Sequence, residues 1–237
     1  MNRQSAFAVA CAVSATTVLG VVASPAGALT LGEPIIVGEK KFTFTECFIV
    51  RGGNQNVSPG SCDDIGILPI LGEHQGISIR SPFIAFDDSS IDVSLEYILE
   101  KADPDSDSLF TDAKLFFNGA FTGPGLTNVT ETFFDADTDE VIGQFGVTNP
   151  PPDLMDPPLE TVFPFGGDVP FSKHVAKVKV KKDIGLVAFE GAQANISIID
   201  QTFKHKDVPE PGTVTGLLAI GSLSVGAMLK RHFGKKA

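Results

Sequence analysis

The chain has 237 residues, a net charge of −11, and Phe as its dominant aromatic residue, with 19 Phe against one Tyr and no Trp. Such acidity argues against nucleic acid as a partner, because a phosphate backbone is held by a basic footprint. The length suits one domain with its own core, flanked by short terminal segments.

Met1 to Ala28 carries Arg3, an apolar centre from Ala6 to Ala23 and the small-x-small run Ala26-Gly27-Ala28. This pattern predicts an N-terminal signal helix removed by signal peptidase after Ala28, with Ala23 and Ala26 as alternative cleavage points. Cys11, in Ala8-Val9-Ala10-Cys11, lacks the leucine-like residue and longer apolar run of a lipid-attachment box, and is read as a signal-peptide cysteine.

Residues 29–207 are the predicted exported domain. Every acidic residue except Glu210 falls inside it, while Arg3, Lys230, Arg231, Lys235 and Lys236 fall outside, so it is more acidic than the whole chain. Its two cysteines, Cys47 and Cys62, are expected to form a disulfide in an oxidising compartment, closing a Gly/Asn/Pro-rich stretch from Arg51 to Ser61. Metal ligation by the pair is the weaker alternative, since neither has a Cys-x-x-Cys or nearby His partner.

Period-two alternation marks the strands. Ile91, Val93, Leu95, Tyr97 and Leu99 share one face, with Asp92, Ser94 and Glu96 on the other. Ala176, Val178 and Val180 alternate with Lys177, Lys179 and Lys181, and Ala194, Ile196 and Ile198 repeat the pattern. Further candidates are Lys41 to Val50, Gly76 to Phe86, Ala113 to Phe121, Asn128 to Phe134 and Val141 to Thr148. Many short strands with turn residues between them, and no long helical period, predict an all-β fold, an antiparallel β-sandwich with most Phe side chains inside.

Asp135, Asp137 and Asp139 lie between two of these strands, where short acidic side chains bond local backbone N–H groups in a hairpin tip. A calcium site is the alternative, but Glu140 stands where an EF-hand loop needs Gly, and Gly146 where it needs its bidentate Glu. Asp103, Asp105 and Asp107 fail in the same way, with Ser108 and Lys114 at those positions. Thr148 to Pro158 is proline-dense and predicts a surface loop. The domain has no Gly-x-Ser-x-Gly, His-Glu-x-x-His or phosphate-loop motif, and His74, His174 and His205 are far apart in sequence. No cofactor is implied; a pair of carboxylates for glycoside hydrolysis leaves no linear trace and stays open.

The chain closes with Pro209-Glu210-Pro211, a 17-residue run without charge from Thr213 to Leu229, and Lys230-Arg231. As a helix the run reaches roughly 25 Å, near the short limit for a transmembrane segment. Lys230 and Arg231 fix its orientation with residues before Pro209 outside. Prolines on both sides of Glu210 keep that stretch extended, as a protease requires. This ordered combination resembles the PEP-CTERM sorting signal of Gram-negative bacteria and cyanobacteria, and occupies residues 208–237, with 230–237 as its basic tail. The resemblance implies transient anchoring in the inner membrane and cutting near Pro209, Glu210 and Pro211 by an exosortase-type protease. A plain tail anchor with a proline-rich stalk is the alternative. Glu131 to Phe145, Val178 to Val187 and Asn195 to Phe203 are also similar to cyanobacterial PEP-CTERM cargo, which implies a sandwich but carries over no catalytic residue.

The expectation is a non-catalytic protein of the cell envelope or exopolysaccharide matrix. A carbohydrate-binding module, with or without calcium, is the alternative; an exposed Phe row or a carboxylate cluster would favour it, and the burial expected for Tyr97 counts against it.

Overall fold

Every second side chain from Ser89 to Lys101 is buried, the period of a strand with one face in a core and the other at the surface. The same alternation recurs along the chain in this computed structural model, which describes residues 27–149 and 160–206, the side chains of residues 149 and 160–165 excepted. The described residues form thirteen strands: β1 Gly27–Ala28, β2 Pro34–Val37, β3 Lys40–Gly53, β4 Val57–Ser58, β5 Gly66–Ile70, β6 Gly76–Phe86, β7 Ser89–Lys101, β8 Leu109–Thr122, β9 Gly125–Asp135, β10 Val141–Asn149, β11 Glu160–Val175, β12 Val178–Ala188 and β13 Gln193–Lys206. One short 3-10 turn, Cys62–Asp64, precedes β5.

All pairings are antiparallel. Six strands form one sheet in the order β10-β9-β12-β7-β3-β2; seven form the other, β1-β5-β6-β13-β8-β11, with β4 beside β6. The inner faces of both sheets merge into one hydrophobic core, making a β-sandwich. Tyr97 packs on Phe44 with ring centroids 5.1 Å apart, and Phe203 bridges the sheets to Phe42 and Phe133. Burying each such ring stabilises the fold by about 1.5–3 kcal/mol.

The alternation predicted for Ile91 to Leu99 places all five apolar residues in the core, Tyr97 included. Two details differ. Ala176 is exposed in a turn, and the strand starts at Val178. In β13 the register shifts between Ile196 and Ile198 against both neighbours, so Ile199, rather than Ile198, enters the core after Ile196. A bulge adds one residue and exchanges the faces downstream.

Sequence alternation missed β11, which contains Pro164 and Pro170. It lies at the end of its sheet and pairs only with β8, where proline's missing N–H is tolerated. Close packing seals this side of the sandwich, because a Cβ on Gly167 of β11 would lie 2.5 Å from the Phe145 ring of β10. Thr148 and Asn149 extend β10 rather than opening a loop; the remainder of the predicted proline-rich excursion, residues 150–159, lies outside the described residues. At the other end, Ala28 pairs with Gly66, and buried Leu29 donates its N–H to the Ile65 carbonyl at 2.7 Å. Cleavage after Ala28 therefore removes β1, whereas cleavage after Ala23 or Ala26 keeps it.

Lys40 is buried at the start of β3, its Nζ 3.4 Å from Gln75 Oε1. Burial, reinforced by the nearby Lys101 charge and opposed by Glu39, lowers its pKa to about 8 from 10.5. Below about 8 both folded and unfolded chains hold the proton; between about 8 and 10.5 only the unfolded chain does. Stability should therefore rise with pH across that window, by on the order of 1–3 kcal/mol. Urea midpoints measured across it should show the rise in the wild type and a smaller one in Lys40→Met.

Candidate functional site

Cross-strand register assembles a cleft on the outer face of the seven-stranded sheet. Ile70, Gly76, Thr202, Lys114 and Asp168 align across β5, β6, β13, β8 and β11. The adjacent row is Leu68, Ser78, Asp200, Phe116 and Gly166. The β5–β6 connection adds Leu71, Glu73 and His74, enclosing a cleft of about 390 Å³ with Ile70, Lys114, Phe116, Asp200 and Thr202.

The walls are held from beneath. Ser78 donates to Asp200 Oδ1 and accepts from Arg80 Nε at 3.1 Å. Gln201 donates Nε2–H to the Lys114 carbonyl at 3.2 Å, joining β13 to β8 below the cleft. Gly76 allows β13 to approach closely, since a Cβ there would lie 1.9 Å from the Gln201 carbonyl oxygen. Above this floor sit a partly exposed aromatic ring, one ammonium, two carboxylates, a hydroxyl and an imidazole. An apolar ring surrounded by donors and acceptors of both charges can stack on the C–H face of a sugar and bond its hydroxyls.

Phe48, Phe86, Phe116 and Phe189 are the exposed phenylalanines among those described. They do not make a row: Phe48 aligns with Ser94 on the six-stranded sheet, Phe116 lies on the opposite sheet, Phe86 ends β6, and Phe189 occupies the turn after β12. Asp92 and Asp183 lie close together on the outer face of the six-stranded sheet, where burial and then the Asp183 charge raise the Asp92 pKa.

At Asp135 to Glu140 the structure has the predicted hairpin tip. Asp135 Oδ1 accepts the Asp137 N–H at 3.0 Å, and the Asp135 carbonyl accepts N–H groups from Thr138 and Asp139. Lys173 bridges Asp135 at 2.8 Å and Glu140 at 2.6 Å, while Lys179 pairs with Asp139. The Lys173 hydrogen bond, then the Asp137 N–H, lowers the Asp135 pKa. These carboxylates already have cationic partners. Asp103 likewise accepts the Asp105 N–H at 3.0 Å. Among the described residues no group of three or more His, Cys, Asp or Glu side chains is placed to hold a metal ion. Micromolar calcium should leave the melting temperature unchanged; a rise abolished by Asp137→Ala would expose a bound ion.

No family model and no curated protein matches the chain. Among solved structures, it is similar to the enzymatically active domain of bacteriophage CBA120 tailspike protein 4, at 9% identity and a TM-score of 0.31, covering 66% of this chain and 19% of that one. It is similar to TmCBM61 in complex with β-1,4-galactotriose, at 11% identity and a TM-score of 0.29, covering 67% of this chain and 88% of that one. It is also similar to arabinose-bound MgGH51 α-L-arabinofuranosidase, at 9% identity and a TM-score of 0.29, covering 64% of this chain and 25% of that one. These identities and TM-scores are too low to transfer a ligand.

Cys47 and Cys62 are joined in a disulfide with Cα atoms 6.2 Å apart, tying β3 to the 3-10 turn before β5. The other predicted processing residues, Ala26, Pro209, Glu210, Pro211, Lys230 and Arg231, lie outside the described residues, as do the signal helix and the 213–229 segment. Among the described residues no helix is long and apolar enough to cross a membrane. Sequence reasoning did not find the cleft. Ala113 to Phe121 was legible as a strand, but only the strand order brings Lys114 and Phe116 beside Asp200 and Thr202.

Proposed function

We propose that this is the precursor of an exported, non-catalytic protein of the cell envelope or extracellular matrix, whose sandwich binds matrix polysaccharide in the cleft over Phe116. The single observation carrying the binding reading is that cleft, where a partly exposed ring lies among Lys114, Asp200, Thr202 and His74. The disulfide supports passage through a non-reducing compartment. In this reading signal peptidase removes the leader, the 213–229 helix holds the intermediate in the inner membrane, and an exosortase-type protease releases it near Pro209-Glu210-Pro211.

A glycan array probed with the purified protein, with and without calcium, tests binding. The expected result is retention on a subset of polysaccharides in both conditions, lost in Phe116→Ala with the melting temperature unchanged. An empty array, or binding indifferent to Phe116→Ala, would remove the cleft from the function. Intact mass of protein from the native envelope and medium tests sorting. Chains ending near Glu210 are expected; only chains ending at Ala237, all in the inner membrane, would leave a plain tail anchor.

A further inference from the structure

Three polar side chains of different chemistry meet at the centre of the sandwich. Lys182 on β12, Glu131 on β9 and Gln201 on β13 are buried, with relative exposures of 0%, 1% and 0%. Lys182 and Glu131 face each other across the β12–β9 ladder and form an ion pair. Gln201 enters from the other sheet, its Oε1 3.1 Å from Lys182 Nζ, with the amide plane set by the Nε2–H bond to the Lys114 carbonyl. Along their own strands they are flanked by Val180 and Ile184, Val129 and Phe133, and Ile199 and Phe203, all buried and apolar.

Holding an ammonium and a carboxylate in such surroundings is costly, and apolar replacements often equal or exceed the stability of a buried ion pair. Desolvation holds the Lys182 pKa well below its ordinary value, which favours the neutral, nucleophilic amine. An amine, a carboxamide and a carboxyl group at this spacing, shielded from water, constitute a nucleophile, an acyl group and a proton carrier.

We propose that Lys182 and Gln201 become joined by an intramolecular amide bond, with Glu131 carrying the proton and ammonia leaving. As the sheets close, the Lys182 ammonium passes a proton to the Glu131 carboxylate. The Nζ lone pair attacks Gln201 Cδ, the Nζ–Cδ bond forms, and the Cδ–Nε2 bond breaks. Glu131 relays one of the two remaining Nζ protons to Nε2, which departs as ammonia. Glu131 ends as a neutral acid beside a neutral amide. The product is one covalent tie between β12 and β13, hence between the two sheets, with no ionic charge left among the three groups.

Peptide mapping by tandem mass spectrometry of the full chain, reduced and denatured, tests the bond. The expected result is one branched peptide joining the Lys182 and Gln201 fragments, lighter than the sum of the two peptides by one ammonia. Separate, unmodified Lys182 and Gln201 peptides would overturn the proposal and leave a buried ion pair. A Lys182–Glu131 branch, lighter by water alone, would overturn the role of Gln201. Glu131→Gln, checked for folding by circular dichroism, should leave Lys182 and Gln201 unlinked; full cross-linking in that variant would remove Glu131 as the carrier. Gln201→Glu should still link, losing water in place of ammonia, and failure to link in a folded Gln201→Glu chain would count against the acyl assignment.

Discussion

Phe203→Ala should lower the free energy of unfolding by about 3–5 kcal/mol. The Phe203 ring sits 6.1 Å from Phe42, 6.4 Å from Phe110 and 6.2 Å from Phe133, centroid to centroid. Phe42 and Phe133 belong to the opposite sheet and Phe110 to its own, so truncation opens a cavity where the two layers interlock. Sheets bound edge to edge by long ladders have little freedom to collapse into that space. Denaturant unfolding should show a lower midpoint with the same slope. Phe48→Ala is the control: with the ring 61% exposed, it should change stability by no more than about 0.5 kcal/mol. A loss below about 1 kcal/mol for Phe203→Ala would mean that the centre of the core repacks easily.

Replacing both Cys47 and Cys62 by Ala should cost about 3 kcal/mol, the loop-closure value for a bridge spanning some 15 residues. The segment it closes is poorly held otherwise: β4 has two residues, and the 3-10 turn has three. Yet β3 is also bonded to β7 from Lys40 to Gly53, with one register shift between Phe44 and Glu46, and this ladder does not depend on the bridge for its backbone bonds. The double variant should therefore fold, with a lower melting temperature and an unchanged far-ultraviolet spectrum. Thiol titration of the wild type without reductant should find no reactive Cys47 or Cys62. An unfolded double variant would show that the staple, rather than the ladders, sets the fold of β3.

Local periodicity made much of the sandwich legible. Gly76 to Phe86 coincides with β6, and the face holding Ile91 to Leu99 is the buried one. The hairpin tip at Asp135 was readable because Asp and Asn side chains bond their own backbone over short spans. What periodicity concealed was non-local. Pro164 and Pro170 disguised β11, since proline is compatible with a strand only when that strand lies at an edge. The bulge in β13 hid the inward turn of Ile199, Gln201 and Phe203. Lys182 is in phase with Val178 and Val180, but nothing in the local pattern marks a lysine there as buried; its partners, Glu131 some fifty residues earlier and Gln201 on the other sheet, are both distant in sequence. The cleft needed the order β5-β6-β13-β8, in which the third strand is the last of the described strands along the chain.

The position of β13 also decides how the molecule carries tension. Lys206, the last described residue, pairs with Leu109 of β8, and from Thr202 back to Gln193 the strand is clamped between β6 and β8. A pull applied through the residues after Lys206 runs along a strand bonded on both sides. The bonds along both ladders are then loaded together, in shear, and the strand cannot be peeled away one pair at a time as an edge strand can. A protein held at its C-terminal side in a flowing or shrinking film would thus resist extraction of its final strand better than its thermodynamic stability alone suggests.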